Sequence, residues 1–263
     1  MLITEKIDDL CEKLRLQIAH PYIEATIGRP AIDRDRLAVY YALFQYRENA
    51  AGETCVLSLM AAEIALATHE RMTNEPVACA MSVKERQLLA LSGDYYSALY
   101  YRLLADAGEI EVTRWVAEAI QYYNSSKCAL FYPQQRMNWQ DAMRMLRAFE
   151  SALMNTMAVK LGLSEWTSLF ESFFLLKRLH HEYAHYSLND SVLSGALMRH
   201  LSRGTATLKQ HINQEIEKTK HFLSHQILAN EHALSGTGKS LFQYLKVQSA
   251  GYGSPIVKEG ENG

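Results

Sequence analysis

The sequence predicts an all-α protein, and three observations carry that expectation. Apolar residues recur at spacings of three and four along nearly the whole chain. No stretch alternates apolar and polar residues over strand length. The five prolines, at 21, 30, 76, 133 and 255, all fall at joints between periodic stretches. A chain of 263 residues, 48% of them hydrophobic, is long enough to bury a substantial core. With no shift in composition to mark a division, the expectation is a single helical domain over residues 1–250, followed by a disordered tail at 251–263 that is rich in glycine and charge.

Each element has a local justification. Ile3, Ile7, Leu10, Leu14 and Ile18 line one stripe of a first helix, which His20-Pro21 ends. Asp33 is placed to N-cap a helix running to about Tyr46, because a short acceptor side chain there satisfies amides of the first turn. Gly52 opens a long apolar helix through Met72. Ser82 with Glu85 has the capping-box pattern and starts a helix to Leu91, and Gly93 is expected to break the chain before a tyrosine-rich helix through Asp106. Further helices follow at 110–131, 138–161, 165–186, 190–203 and 205–229, with a weaker one at 239–248. Gly162 and Gly204 fit C-caps, and Ser164 fits an N-cap. There is no internal repeat.

Composition excludes several function classes. The net charge of −2, with no run of like charges, supports no electrostatic hold on nucleic acid or on an anionic membrane surface. Cys11, Cys55, Cys79 and Cys128 lie far apart without a C-x-x-C pair and read as small buried hydrophobes in a reducing compartment. The first 18 residues carry charge every few positions, unlike a signal peptide, and no segment has the roughly 18 consecutive apolar residues of a transmembrane helix. The expected location is the cytoplasm.

Three local patterns invite a chemical reading. His181-Glu182-Tyr183-Ala184-His185 matches H-E-x-x-H, which on a helix would place two histidines on one face to bind zinc, with Glu182 as general base. Against this, the downstream histidines at 200, 211, 221, 225 and 232 fit no zinc-hydrolase spacing for a third ligand, so the zinc hydrolase is kept only as an alternative. Gly236-Thr237-Gly238-Lys239-Ser240 imitates the end of a P-loop, but Ala233 stands where its first glycine belongs and no strand precedes it. A flexible joint explains it better. The Asn124-Ser125-Ser126 sequon has no meaning in the cytoplasm.

The helix from Gly93 to Asp106 carries four tyrosines within two turns, and they cannot all face one stripe. Core packing accounts for about half of them. The rest would present amphipathic rings of the kind enriched in protein interfaces. Tyr95, Tyr96, Leu99, Tyr100 and Leu103, with Trp115 and Tyr122 on the next helix, are therefore the candidate partner surface. An obligate contact of this sort would exceed about 2,000 Å².

Four segments together carry a family resemblance: HPYIEATIGRPAIDRDRL at 20–37, THERMTNEPV at 68–77, RQLLALSGDYYSALYYRLLA at 86–105 and FFLLKRL at 173–179. They resemble the all-α isoprenyl diphosphate synthases. More narrowly, over most of residues 1–230, they resemble component 1, the small regulatory subunit, of bacterial heptaprenyl diphosphate synthase. In the synthases the first of two central helices ends in an Asp-rich H-D-D-x-x-D stretch and the second begins G-D-Y. Here Thr68-His69-Glu70-Arg71-Met72-Thr73 and Gly93-Asp94-Tyr95 stand in those places. His69, Glu70 and Thr73 thus mark a degenerate metal motif. The plain alternative is a polar helix end, where His69 and Arg71 complement the helix dipole.

Two further parts of the family's site are also missing. FESFFLLKRLHHEY stands where the second Asp-rich motif would be but has no paired aspartates, and Gly28-Arg29-Pro30 is a poor substitute for a Gly-Gly-Lys-Arg diphosphate clamp. The resemblance implies an isoprenoid-synthase-like helical bundle with a degenerate active site. It also implies no catalytic residue and no cofactor on this chain, and a heterodimer with a larger catalytic component 2 that holds Mg²⁺ and makes the prenyl tail of menaquinone. Contact with the growing polyprenyl chain is implied as well. Two alternatives remain: a zinc-dependent hydrolase using His181, Glu182 and His185, and a helical scaffold that binds a lipid or protein without a synthase partner.

Overall fold

A computed structural model of the chain describes residues 3–45, 51–72, 83–133, 137–184, 192–198, 207–230 and 236–252. Among the described residues there is no strand. The helices are α1 (Ile3–Ile18), α2 (Pro21–Ile27), α3 (Arg34–Phe44), α4 (Ala51–Glu70), α5 (Val83–Asp106), α6 (Ile110–Phe131), α7 (Trp139–Glu150), α8 (Ala152–Lys160), α9 (Thr167–Ala184), α10 (Val192–Met198), α11 (Leu208–Asn230) and α12 (Gly236–Gly251). A single 3-10 turn, Ser164–Trp166, leads into α9.

Contacts sort these helices into two compact units, one from residues 1–118 with 156–161 and the other from 119–155 with 162–263. The sequence marks no such division. Two of its borders cut through α6 and α8, whose periodicity runs on across them, so no linker composition signals where one unit's packing gives way to the other's.

In the first unit, α1 buries Ile7, Leu10 and Leu14 completely against α3 and α4. Asp33 caps α3 as expected, its Oδ1 accepting from the amides of Asp35 at 3.0 Å and Arg36 at 3.2 Å. The central helix is α4, which is apolar on every side and packs along α5 as well as α3 and α1. By length and composition it is the one helix among the described residues suited to crossing a membrane, yet 67% of that stretch is buried inside the protein, as a core helix requires.

Two local expectations fail here. Gly93 does not break the chain: α5 runs unbroken from Val83 to Asp106. A lone glycine costs a helix only about 1 kcal/mol, which tertiary packing outweighs. Nor does Pro21 merely end α1. It opens the short helix α2, where a missing N–H is harmless, and His20 caps it by accepting at Nδ1 from the Ile23 amide at 3.3 Å. Gly28, at φ 84°, then turns the chain out of α2.

In the second unit, α9 is the core helix, lying against α7, α11 and α12 with Phe170, Phe173, Phe174, Leu175, Leu176 and Leu179 buried. Trp166 stands edge-on to Phe170 and to Phe242 of α12. The expected helix 138–161 is interrupted at Ser151, whose hydroxyl donates to the Arg147 carbonyl at 2.8 Å, a side-chain bond that competes with the helical ladder.

Other details also differ. Ser164 begins the 3-10 turn rather than capping it, while Gly162, at φ 76°, follows α8 as a C-cap glycine should. Residues 236–240 form the first turn of α12 rather than a joint, and that helix runs through Gly251, the expected start of the tail; 253–263, like Gly204, lie outside the described residues. Cys11 and Cys55 are buried as expected, Cys128 is exposed, and Cys79 lies outside the described residues.

Candidate functional site

The C-terminal end of α4 meets the middle of α5, and His69 and Glu70, two residues of the expected degenerate motif, sit there. Thr68 turns inward, its hydroxyl donating to the Ile64 carbonyl at 2.7 Å. The next residue, His69, lays its ring against Gly93 of α5 and brings Nε2 to 3.6 Å from the Asp94 carboxylate. The expected chain break is thus a place of close approach. Arg71 extends its guanidinium to the Ile27 carbonyl at the end of α2, at 3.4 Å, where a cation suits the helix dipole. Arg29 folds back on Glu24 at 2.6 Å. Thr73 lies outside the described residues.

A magnesium diphosphate site asks for several carboxylates around a hard cation. Among the described residues, the donors at this helix end are one imidazole and the carboxylates of Glu70 and the exposed Asp94, beside a guanidinium that adds positive charge. That set does not fit the group.

A buried polar network close by escaped the sequence reading. Glu63 of α4 accepts at Oε1 from Arg36 Nη1 at 3.1 Å and from the Tyr40 hydroxyl at 2.5 Å. Complete burial, reinforced by the Glu63 charge, pushes the Tyr40 phenol well above its ordinary pKa. The network ties α3 to α4, and the only hint of it in the sequence is a glutamate in the middle of an otherwise apolar helix.

Counterparts of the second Asp-rich motif would lie on α9. Its acids are engaged with the second unit itself. Glu182 is only 3% exposed, and its two carboxylate oxygens divide between Arg178 Nε at 3.2 Å and the Ser194 hydroxyl at 2.8 Å. Arg178 also reaches Glu150 of α7 at 3.2 Å. His181 points outward, its side chain 63% exposed, with Nδ1 at 3.9 Å from Glu182, and His185 lies outside the described residues. A zinc-water base must face the metal with a free oxygen; Glu182 instead serves as a structural anion linking α7, α9 and α10.

The tyrosine-rich surface divides differently from the expectation. Tyr96 and Leu99 are buried within the first unit and can offer nothing to a partner. Tyr95, half-buried, stands edge-on to His20 at 5.1 Å and to Tyr96 at 5.4 Å, so it fastens α2 to α5. Burial pushes the Tyr96 phenol up to about 12. Tyr100, Leu103 and Trp115 are half-buried, whereas Tyr122 is 54% exposed, as is Tyr101 at 58%. Sequence periodicity grouped Tyr101 with the others without showing that it is the most open of them.

Comparison with known proteins places this geometry in a class. The fold matches a crystal structure of a geranyltransferase from Helicobacter pylori, with a TM-score of 0.57 at 14% identity over 93% of this chain and 96% of that one. It also matches a decaprenyl diphosphate synthase from Rhodobacter capsulatus, with a TM-score of 0.57 at 12% identity over 95% and 96%. The chain therefore has the all-α prenyl synthase fold. Residues 20–228 match the family described as heptaprenyl diphosphate synthase subunit 1, and the chain belongs to that family. It is 34% identical over 127 residues to heptaprenyl diphosphate synthase component 1 of Geobacillus stearothermophilus, a match that spans 48% of this chain and 56% of that relative's length.

Proposed function

We propose that this chain is the non-catalytic regulatory subunit of a heteromeric heptaprenyl diphosphate synthase. The reading rests on the packing of α4 along α5, with His69, Glu70 and Arg71 at the end of α4 where the resemblance would put a synthase's metal-binding acids. A catalytic partner with both Asp-rich motifs binds Mg²⁺, the allylic diphosphate and isopentenyl diphosphate, and condenses them head to tail through an allylic carbocation. The regulatory chain holds that partner in its active form and contributes side chains to the tunnel of the growing polyprenyl chain. The product supplies the menaquinone side chain, and the complex works in the cytoplasm. Family membership supports the reading, as does the poor donor set at the α4 end.

The test is reconstitution. This chain alone, the partner alone and the two mixed are each given farnesyl and isopentenyl diphosphates with Mg²⁺. Longer products should come only from the mixture. Elongation by this chain in the absence of partner would overturn the proposal.

A further inference from the structure

We propose that His221 and His225 form a two-histidine site on α11 for a borderline divalent transition cation, Cu²⁺, Ni²⁺ or Zn²⁺. The two residues are four apart, so their side chains rise from the same helix face one turn from each other. Both are exposed, and their rings meet edge to face with centroids 4.5 Å apart. The decisive distance is between the two Nε2 atoms, 3.2 Å.

That separation is the chord a metal ion requires. With metal–nitrogen bonds of about 2.0–2.1 Å, two imidazoles on one ion at angles between 90° and 109° hold their nitrogens roughly 2.8–3.4 Å apart. A cation can therefore sit beside the two nitrogens once the donating ring turns its Nε2 off the line between them. Without metal, one Nε2 donates its hydrogen to the lone pair of the other, and this contact keeps the pair pre-aligned. On binding, the donating ring moves that hydrogen to its Nδ1 through solvent, so that both Nε2 lone pairs face the ion and no net proton is lost. Water completes the coordination.

Local charge does not oppose this. Lys220 lies next to His221 in sequence, but its ammonium is held at 3.2 Å by the Glu217 carboxylate. Glu217 itself stands one turn before His221 on the same face of α11. Imidazole suits copper, nickel and zinc, with Cu²⁺ tightest in the usual divalent order, whereas Mg²⁺ prefers oxygen ligands. The site is thus distinct in chemistry from the magnesium chemistry proposed for the partner. Protons compete for the same lone pairs, so affinity falls on acidification.

The experiment uses the full-length chain without an affinity tag, titrated with Cu²⁺ by calorimetry in a non-coordinating buffer, with electron paramagnetic resonance of the bound ion. One ion bound through two imidazole nitrogens is expected. Losing even an outer-shell partner of a metal ligand commonly costs 10–100-fold in affinity, so His221→Ala and His225→Ala should each weaken binding by about tenfold or more. His221→Gln, which keeps the bulk of the side chain, should do the same, and His181→Ala should change nothing. Undiminished binding in the His221 and His225 variants, an equal loss in His181→Ala, or displacement of Cu²⁺ by equimolar Mg²⁺ would overturn the site.

Discussion

A Cβ built on Gly93 would lie 2.5 Å from Nε2 of His69. Glycine is thus the residue that lets the end of α4 close on α5 and lets the imidazole approach Asp94. Gly93→Ala should leave stability within about 1 kcal/mol of the wild type, because the helix gains alanine's propensity while the ring swings out. The His69 ring should leave Asp94, visible as a changed His69 Cε1–H resonance. Gly93→Leu should cost about 1–3 kcal/mol, the usual range for overpacking. A Gly93→Ala structure with the ring still beside Asp94 would contradict the account.

Glu182 and His181 should respond in opposite ways, although both belong to the H-E-x-x-H match. Glu182→Ala strips Arg178 and Ser194 of a buried acceptor, at a cost of about 1–3 kcal/mol in urea unfolding. His181→Ala, at an exposed position, should stay within about 0.5 kcal/mol and leave the reconstituted activity intact. Stoichiometric zinc lost together with activity in His181→Ala would revive the hydrolase reading.

Stability should depend on pH through Glu171. Burial raises its carboxyl above the usual range, although the Arg147 charge and the Asn155 amide, 3.0 Å away, pull the other way. For an acid whose folded pKa is raised, the stabilising contribution is full below the unfolded pKa and is lost as pH rises through the folded one. Glu171→Gln should therefore raise Tm at pH 7 relative to wild type, and the advantage should vanish below about pH 4, where the wild-type group is protonated too. An advantage that grows on acidification would reverse the sign and refute the argument.

Tyr122, from the candidate partner surface, and Tyr101, which is not part of it, are exposed on the second and first unit respectively, and Tyr122→Asp and Tyr101→Asp should each fold normally by circular dichroism. If either ring is a contact hot spot, its loss costs about 2 kcal/mol or more, roughly a thirtyfold loss of affinity for the catalytic partner. Tyr96→Asp should instead unfold the first unit, since that ring is buried. Full co-elution and activity of both exposed-site variants would move the interface elsewhere.

Much of this protein could be read before any coordinates, because it depends on neighbours in sequence. Helical period, the Asp33 cap and the Gly162 turn are all properties of residues within a turn or two of each other. Those readings agree with the helices and caps observed. Two misreadings, at Pro21 and Gly93, differ in cause. Pro21 and Gly93 have the same local character whether they stop a helix or sit inside one. His20 decides the first case by capping α2, and the ring of His69, brought in from another helix, decides the second.

By itself, then, the sequence determined the helical class and most element boundaries. Only tertiary structure decided that Tyr96 is core while Tyr122 is surface, that Glu182 belongs to Arg178 and Ser194 rather than to a metal, and that His221 and His225 stand a metal chord apart. The physical reason is the same each time. Local backbone preference is set by a residue's own chemistry and its near neighbours, whereas burial, pairing and ring placement are set by which distant helix happens to cross at that point.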